Sequence, residues 1–173
     1  MALAATHMRF MAILKIARLG HPVLLRVAEP VADPTAPEMQ RLVADMVETM
    51  EDANAAGLAA PQVHRSLRLF VWRVGQDVAA IFNPEITPLD GPMAASFEGC
   101  LSIPGLRGEV SRPARIAFRG LDASGEPIAG TAEGLAARVM QHEFDHLEGV
   151  LYPMRMTDLS RLGFTEELAR SPQ

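Results

Sequence analysis

The chain has 173 residues, of which 49% are hydrophobic and 21% are charged, and its formal net charge is −5. This composition is typical of a folded globular protein and excludes a largely disordered chain. The negative charge disfavours nucleic acid as a partner, because that role usually needs a concentrated basic surface. The single cysteine, Cys100, excludes an intrachain disulfide and leaves metal ligand or nucleophile as its functional options.

The N-terminal part contains a short apolar run over 10–14 that ends at Lys15. This run is too short for the core of a signal peptide or for a membrane span, so we predict a cytoplasmic protein without a membrane partner. Residues 1–10 are interpreted as an N-terminal extension or a remnant of an expression vector. No linker or repeat divides the rest, which predicts one domain over 11–173.

The first predicted element is an amphipathic helix over 37–52, where apolar residues recur with helical spacing. Thr35 and Glu38 have the spacing of a capping box at its start, and Pro37 is tolerated in the first turn of a helix. The sequence therefore predicts both the span of this helix and the side chains that begin it.

Short apolar runs bounded by turn residues predict strands over 67–72, 78–82 and 114–120. Asn83-Pro84 is expected to end the second of these strands. Residues 88–95 are rich in proline, glycine and alanine and predict a loop, and residues 122–125 predict a hairpin turn. A short terminal helix is predicted over 158–169.

A helix over 131–147, ended by Gly149, carries the H-E-x-x-H motif His142-Glu143-Phe144-Asp145-His146. Residues four apart lie on one helix face with Cβ atoms about 5–6 Å apart, so two imidazoles can bind one metal ion beside the glutamate. Leu135 and Val139 fall on the same stripe, which is expected to face inward. The alternative is a pair of surface histidines on a solvated helix.

Two histidines do not suffice for a catalytic metal, which usually has three protein ligands and one open position. The third ligand has two candidates in the sequence. One is Glu166 or Glu167, as in peptidases that complete an H-E-x-x-H site with a distant glutamate. The other is Cys100, whose thiolate is the softer donor. Asp145 and Glu148, which flank the motif, are interpreted as solvated helix charges.

Three separated segments, 57–62, 98–102 and 141–146, resemble in order and spacing the three signature motifs of the peptide deformylases. Segments 18–24 and 101–112 are also similar to that family. The resemblance implies an α+β fold, a compact single domain with antiparallel or mixed sheets wrapped around a central helix that carries H-E-x-x-H. It further implies hydrolytic removal of the formyl group from N-formylmethionine of newly synthesised polypeptides.

By resemblance, Cys100, His142 and His146 bind one divalent metal ion. This ion is Fe(2+) natively, with Zn(2+), Ni(2+) or Co(2+) as substitutes. Gln62 and the backbone amide of Leu101 are expected to face the formyl oxygen, where such donors stabilise a developing oxyanion. Glu143 is the expected general base and acid, because it stands beside a ligand without being needed as one.

Further residues are expected to contact the substrate. Gly57 and Gly99 suit close passage of the substrate backbone, with turn geometry as the competing explanation. Arg107 would contact substrate carbonyl groups or form a surface salt bridge. Leu135 and Val139 would line an apolar pocket for the methionine side chain.

The chain departs from the family pattern in two places. Ala55 replaces the first glycine of the usual Gly-x-Gly-x-Ala-Ala motif, which puts substrate affinity in question but leaves the chemistry intact. The tail after Met156 lacks a long basic helix, so ribosome docking through such a helix is not supported. The sequence leaves the oligomeric state open. It also leaves two alternative functions, a small metallopeptidase using Glu166 or Glu167 and a deformylase-like metal-binding protein without activity.

Overall fold

The computed structural model describes residues 12–170 as an α+β fold in which two antiparallel sheets surround one helix. Its regular elements are, in chain order, α1 (Pro37–Asp52), β1 (Gly57–Ala59), β2 (Leu69–Val74), β3 (Asp77–Pro88), β4 (Met93–Cys100), β5 (Ile103–Pro113), β6 (Arg115–Leu121), β7 (Pro127–Glu133), α2 (Gly134–Leu147), β8 (Leu162–Phe164) and α3 (Thr165–Leu168). The predicted fold class is confirmed. The domain bounds of 11–173 and the extension over 1–10 stay predictions, because residues 1–11 and 171–173 lie outside the described part. Between residues 12 and 170, no helix is both long and apolar enough to cross a membrane.

Helix α1 has the predicted span and buries four of the six apolar residues from which it was predicted, while Val43 and Val47 are half-buried. The four buried residues are Met39, Leu42, Met46 and Met50. The predicted capping box is wrong: within the described residues the Thr35 hydroxyl accepts no N–H group of the helix, and it donates to the Asp33 carboxylate at 2.6 Å. Ala36 precedes the helix without a capping side chain, and Pro37, whose ring already fixes a helical φ, begins it.

The five-stranded sheet has the order β1-β2-β3-β6-β7, with every neighbouring pair antiparallel. Strand β3 continues to Pro88, so the predicted end at Asn83-Pro84 is wrong. The chain passes these residues in a bulge between Phe82 and Glu85, with φ of Asn83 at 49°. The Asn83 side chain binds both backbone groups of Val31, at 2.8 and 2.9 Å, and this ties the bulge to the loop before α1.

The segments on either side of β6 agree with the predictions to different degrees. The loop predicted over 88–95 is wrong for its last residues, because β4 already begins at Met93 and pairs there with Pro113. Strand β6 lies within one residue of the predicted span. The hairpin turn after it is confirmed, with the Asp122 carboxylate accepting the N–H of Ser124 at 2.8 Å.

Helix α2 begins at Gly134, three residues later than predicted, because residues 127–133 form strand β7 along β6. Its buried face carries both apolar and polar side chains, namely Ala137, Met140, Gln141, Glu143, Asp145, His146 and Leu147. The predicted stop is confirmed at Gly149, whose φ is +71° and where an added Cβ would lie 2.8 Å from the Leu25 backbone. The helix packs against strands of both sheets, so its polar residues are enclosed by the core.

The second sheet has the order β4-β5-β8. Strand β8 pairs with β5 over Leu162–Phe164, so the helix predicted over 158–169 is wrong for most of its length. Only Thr165–Leu168 is α-helical there, after a single 3-10 turn at Leu159–Arg161. A strand of three residues carries too little periodicity to be distinguished from a helix end by sequence.

We expect Asn83→Ala to lower the free energy of unfolding by about 1–3 kcal/mol more than the matched variant Asn54→Ala. Both asparagines have a positive φ, near 49°. Of the two asparagines, only Asn83 has side-chain hydrogen bonds to backbone groups of the described residues, so the difference isolates these two bonds. Urea unfolding of the two variants measures this difference. Equal losses would mean that the bonds to Val31 contribute nothing.

Candidate active site

The structure brings Cys100, His142 and His146 together. Cys100 is the last residue of β4, and the histidines stand one turn apart on α2. Their potential ligand atoms all lie within 4.8 Å of one another, and Cys100 Sγ is 3.3 Å from His146 Nε2. Neither Glu166 nor Glu167 belongs to this group, and Glu167 instead pairs with Arg170 at 2.9 Å. Among residues 12–170 the geometry therefore favours Cys100 as the third candidate metal ligand beside the two histidines.

The chemistry of this cluster fits a divalent transition metal. One thiol and two imidazoles are donors that zinc and iron accept in proteins, and three of them leave a fourth position open. Nδ1 of His142 is engaged by the Glu98 carboxylate at 2.9 Å, so Nε2 is the nitrogen left for a ligand. Such an outer carboxylate fixes the tautomer and the orientation of a ligating ring.

The two histidines differ in their electrostatic surroundings. Burial lowers the pKa of His142, but hydrogen bonds with Cys100 and Glu98 outweigh it and raise the pKa to about 10. Burial and the neighbouring charge of His142 lower the pKa of His146 well below its usual value. A charge on the His142 ring thus disfavours a charge on the neighbouring His146 ring.

Glu143 is buried beside the cluster, with 4% of its surface exposed. Burial raises the pKa of its carboxyl group to about 7. Its Oε2 has no hydrogen-bond partner within residues 12–170, and a buried polar atom without a partner is rare unless a ligand or water completes it. An added Cβ at Gly57 would lie 2.6 Å from Glu143 Oε1. A side chain at position 57 would therefore collide with the Glu143 carboxylate. The sequence alone did not indicate this reason for a glycine.

Gln62 is held so that its amide nitrogen points at the cluster. Its Oε1 accepts the N–H of Ala59 at 2.9 Å, and its Nε2 lies 3.4 Å from Cys100 Sγ and 3.3 Å from Ser102 Oγ. Because the oxygen is already engaged, the amide cannot turn over without losing the Ala59 bond. Gln62 therefore satisfies a buried backbone N–H with its oxygen and presents its amide nitrogen to the site.

A cavity of about 720 Å³ opens onto the cluster and is lined by all five predicted substrate-contacting residues and by Leu101. The five are Gly57, Gly99, Arg107, Leu135 and Val139. Leu135 lies at the rim and is 73% exposed, so its predicted inward orientation is wrong. Within the described part of the chain Arg107 forms no salt bridge, and its Nη2 donates to the Phe97 carbonyl at 3.2 Å. An added Cβ at Gly99 would make only ordinary contacts, so no protein neighbour requires a glycine there.

A buried ion network behind the cluster was missed by the sequence analysis. The Glu98 carboxylate accepts Arg112 at 2.6 and 2.9 Å and Arg138 at 2.6 Å, in addition to His142. Burial would raise the pKa of Glu98, but the hydrogen bonds from Arg112 and His142 outweigh it and lower the pKa to about 2. Glu98 stands two residues before Cys100, and that position was the only signal available in the sequence.

The same network corrects the interpretation of Asp145 as a solvated charge. Asp145 is 4% exposed and accepts Arg112 at 2.9 Å and Arg155 at 2.7 Å. Arg112 therefore lies between two carboxylates, one on β4 and one on α2. Glu148, the other flanking residue, pairs with Arg68 near the surface at 2.7 Å.

A cysteine and two histidines around a buried glutamate, at the bottom of a cavity in an α+β fold, define a site of the metal-dependent hydrolase class. Residues 13–162 match the family model described as polypeptide deformylase. The chain belongs to this family, as its motifs predicted.

Individual relatives are similar over nearly their whole length. Peptide deformylase 2 of Ralstonia nicotianae is 46% identical over 163 residues, which cover 88% of this chain and 92% of that protein. The crystal structure of peptide deformylase from Thermotoga maritima has a TM-score of 0.82 and 41% identity, and the match covers 85% of this chain and 99% of that one. A class I type b peptide deformylase from Acinetobacter baumannii, solved bound to Met-Ala-Ser, has a TM-score of 0.79 and 32% identity over 84% of this chain and 99% of its own.

We expect Arg112→Met to lower the free energy of unfolding by about 3–5 kcal/mol, because it removes one partner from two buried carboxylates. Arg115→Met is the matched control, since Arg115 pairs with Glu133 on the exposed face of a sheet and such pairs contribute about 0–1 kcal/mol. Urea unfolding measures both variants. Similar small losses in the two would show that the buried network does not stabilise the fold.

Proposed function

We propose that this chain hydrolyses the N-formyl group of N-formylmethionine at the start of newly synthesised polypeptides. Water adds to the formyl carbon, the carbon–nitrogen bond breaks, and formate and a free amino terminus result. The observation that carries the proposal is Glu143, buried with a free carboxylate oxygen beside Cys100, His142 and His146 at the bottom of the cavity. The Met-Ala-Ser bound to the Acinetobacter baumannii relative is the peptide that formyl-Met-Ala-Ser would leave after deformylation.

Cys100, His142 and His146 would hold one divalent cation. When bound, such a cation lowers the pKa of water toward 7 and polarises a carbonyl oxygen. Thiolate and imidazole ligands suit Fe(2+), Zn(2+), Ni(2+) and Co(2+) alike. From the resemblance to the family we propose Fe(2+) as the native ion and the other three as substitutes. Glu98 supports this role by engaging Nδ1 of His142, which leaves Nε2 free to ligate.

Glu143 would transfer the protons of the reaction. Its Oε2 accepts a proton from the attacking water and then gives it to the departing amine nitrogen, so that the amine leaves in neutral form. The burial that raises its pKa to about 7 suits a group that must both accept and release a proton near neutral pH. Gly57 leaves the space that this carboxylate occupies.

Gln62 Nε2 and the backbone N–H of Leu101 would stabilise the charge that develops on the formyl oxygen. The Ala59 bond fixes the Gln62 amide before substrate arrives, so no reorganisation is needed during the reaction. Removal of one such donor typically costs about 100- to 1000-fold in rate.

The methionine side chain would occupy the part of the cavity beside α2, between Val139 and the rim residue Leu135. Arg138 also lines the cavity, and its guanidinium is held by the Glu98 carboxylate and by the Val110 carbonyl at 2.9 Å. Gly99 and Arg107 would contact the peptide backbone that follows. A nascent chain in the cytoplasm is the natural partner, and neither nucleic acid nor a membrane is part of the proposal.

Ribosome docking through a basic terminal helix is also left out of the proposal. The last elements of the described residues are strand β8 and the four-residue helix α3. This segment pairs with β5 and packs on the domain itself.

Glu143→Gln is expected to keep the bound metal and lose at least about 100-fold in turnover of an N-formyl-Met peptide, because a glutamine accepts no proton. Glu133→Gln, an exposed change next to α2, serves as the control. Formate release and metal content are measured on the same samples. A variant with more than about a tenth of the wild-type rate would contradict the general-base role. A wild-type protein that holds metal but releases no formate would instead support a binding protein without activity.

Cys100→Ala is expected to lose most of its metal, whereas Glu166→Ala keeps a full equivalent, since a soft thiolate is the stronger of the two donors. Purification without oxygen, followed by metal analysis, gives both the ligand and the identity of the ion. Iron in the wild-type sample is the expected result. If Glu166→Ala lost its metal and Cys100→Ala kept it, the result would instead support the metallopeptidase interpretation.

A further inference from the structure

The C-terminal segment of the described chain lies along one wall of the cavity. Strand β8 pairs with β5 at Leu106, Arg107 and Gly108, and the first two of these residues line the cavity. Thr165 follows β8 immediately and is itself a lining residue. The wall at this point is therefore built from two parts of the chain that are about 60 residues apart in sequence.

Side chains fix this segment at two points. The Arg161 guanidinium lies over the Phe97 ring at 4.9 Å and pairs with Glu109 at 3.1 Å. The Thr165 hydroxyl donates to the Gly105 carbonyl at 3.1 Å. Phe97 and Gly105 both line the cavity, so each contact joins the segment directly to the cavity wall.

Burial separates the bottom of the cavity from its mouth. The lining residues that are buried, and thus form the bottom, are Gly57, Gln62, Glu98, Ile103 and Glu143. The lining residues that are exposed, and thus form the mouth, include Arg18, Asn54, Gly105, Arg107 and Thr165. A peptide whose formyl group lies beside Glu143 must extend its later residues past this mouth.

The size of the cavity agrees with such a path. Its volume of about 720 Å³ is in the range of about 300–1,000 Å³ that takes up a drug-sized ligand, so it admits more than one amino-acid residue. Thr165 has no charge. The exposed residues that line the cavity include Arg18 and Arg107 but no aspartate or glutamate.

We infer that the C-terminal segment is part of the peptide-binding groove and that Thr165 contacts the second or third residue of the substrate. Thr165 is then a specificity-determining residue for the peptide beyond formylmethionine. This inference rests on the proposed deformylase function. Thr165 lies outside the residues 13–162 that match the family model, so the role comes from the geometry of this chain.

The first test compares Thr165→Trp with wild type on N-formylmethioninamide and on N-formyl-Met-Ala-Ser. The large side chain is expected to lower kcat/KM for the longer substrate about tenfold more than for the short one, mainly through KM. Glu166→Trp is the matched control, because Glu166 is exposed on the same short helix and does not line the cavity. Equal losses on both substrates would assign Thr165 a structural role and overturn the inference.

The second test changes charge instead of size and does not depend on how well the first variant folds. Thr165→Glu is expected to shift the kcat/KM ratio of N-formyl-Met-Ala-Lys to N-formyl-Met-Ala-Glu about fivefold towards the lysine peptide, because opposite charges about 4 Å apart attract even in water. Thr165→Lys should shift the ratio the other way, and Glu166→Lys should leave it unchanged. Unchanged ratios in both Thr165 variants would overturn the inference. Wild-type protein that deformylates none of these peptides would contradict the proposed function itself, and the inference with it.

Discussion

The Glu98 carboxylate joins the two parts of the site across the boundary between β4 and α2. It accepts hydrogen bonds from Arg112 on β5, from Arg138 on α2 and from the His142 ring. Cys100 ends the same strand two residues later. The position of the thiol relative to the imidazoles therefore depends on an ion network that neither the cysteine nor the histidines form by themselves.

Burying this many charges is costly, and a buried pair that loses a partner leaves an uncompensated charge in the interior. Arg112 forms ion pairs with two carboxylates, Glu98 on β4 and Asp145 on α2. Glu98 reaches Arg138 and His142, and Asp145 reaches Arg112, only when the sheet and the helix pack together. Folding of the domain and assembly of the site are thus coupled through the same few contacts. Gly57 adds a second constraint, because only a residue without a side chain lets β1 pass so close to Glu143.

The two histidines of the site could be predicted from sequence because helical spacing is a local property, whereas Cys100 and Gln62 were assigned by resemblance to the family. Two histidines four positions apart must share a helix face, and the apolar spacing of α1 gave its full span in the same way. Non-local features were not accessible. Asp145 looks like a surface charge until Arg112, 33 positions away, is known to reach it. Strand β8 exists because β5 offers an edge to pair with, and its own three residues carry no pattern. Asn83 stays inside a strand because its side chain binds Val31, 52 positions earlier.

The dependence of the cluster on Glu98 is tested most directly by the affinity of Glu98→Gln for a metal ion. Nickel or zinc is titrated against a competing chelator, with Glu85→Gln as the control, since Glu85 pairs with Arg119 on an exposed sheet face. The variant should bind the ion about 10–100-fold more weakly than wild type, the usual cost of removing the partner of a ligating histidine. The control should match wild type. An affinity of Glu98→Gln equal to that of wild type would contradict the account.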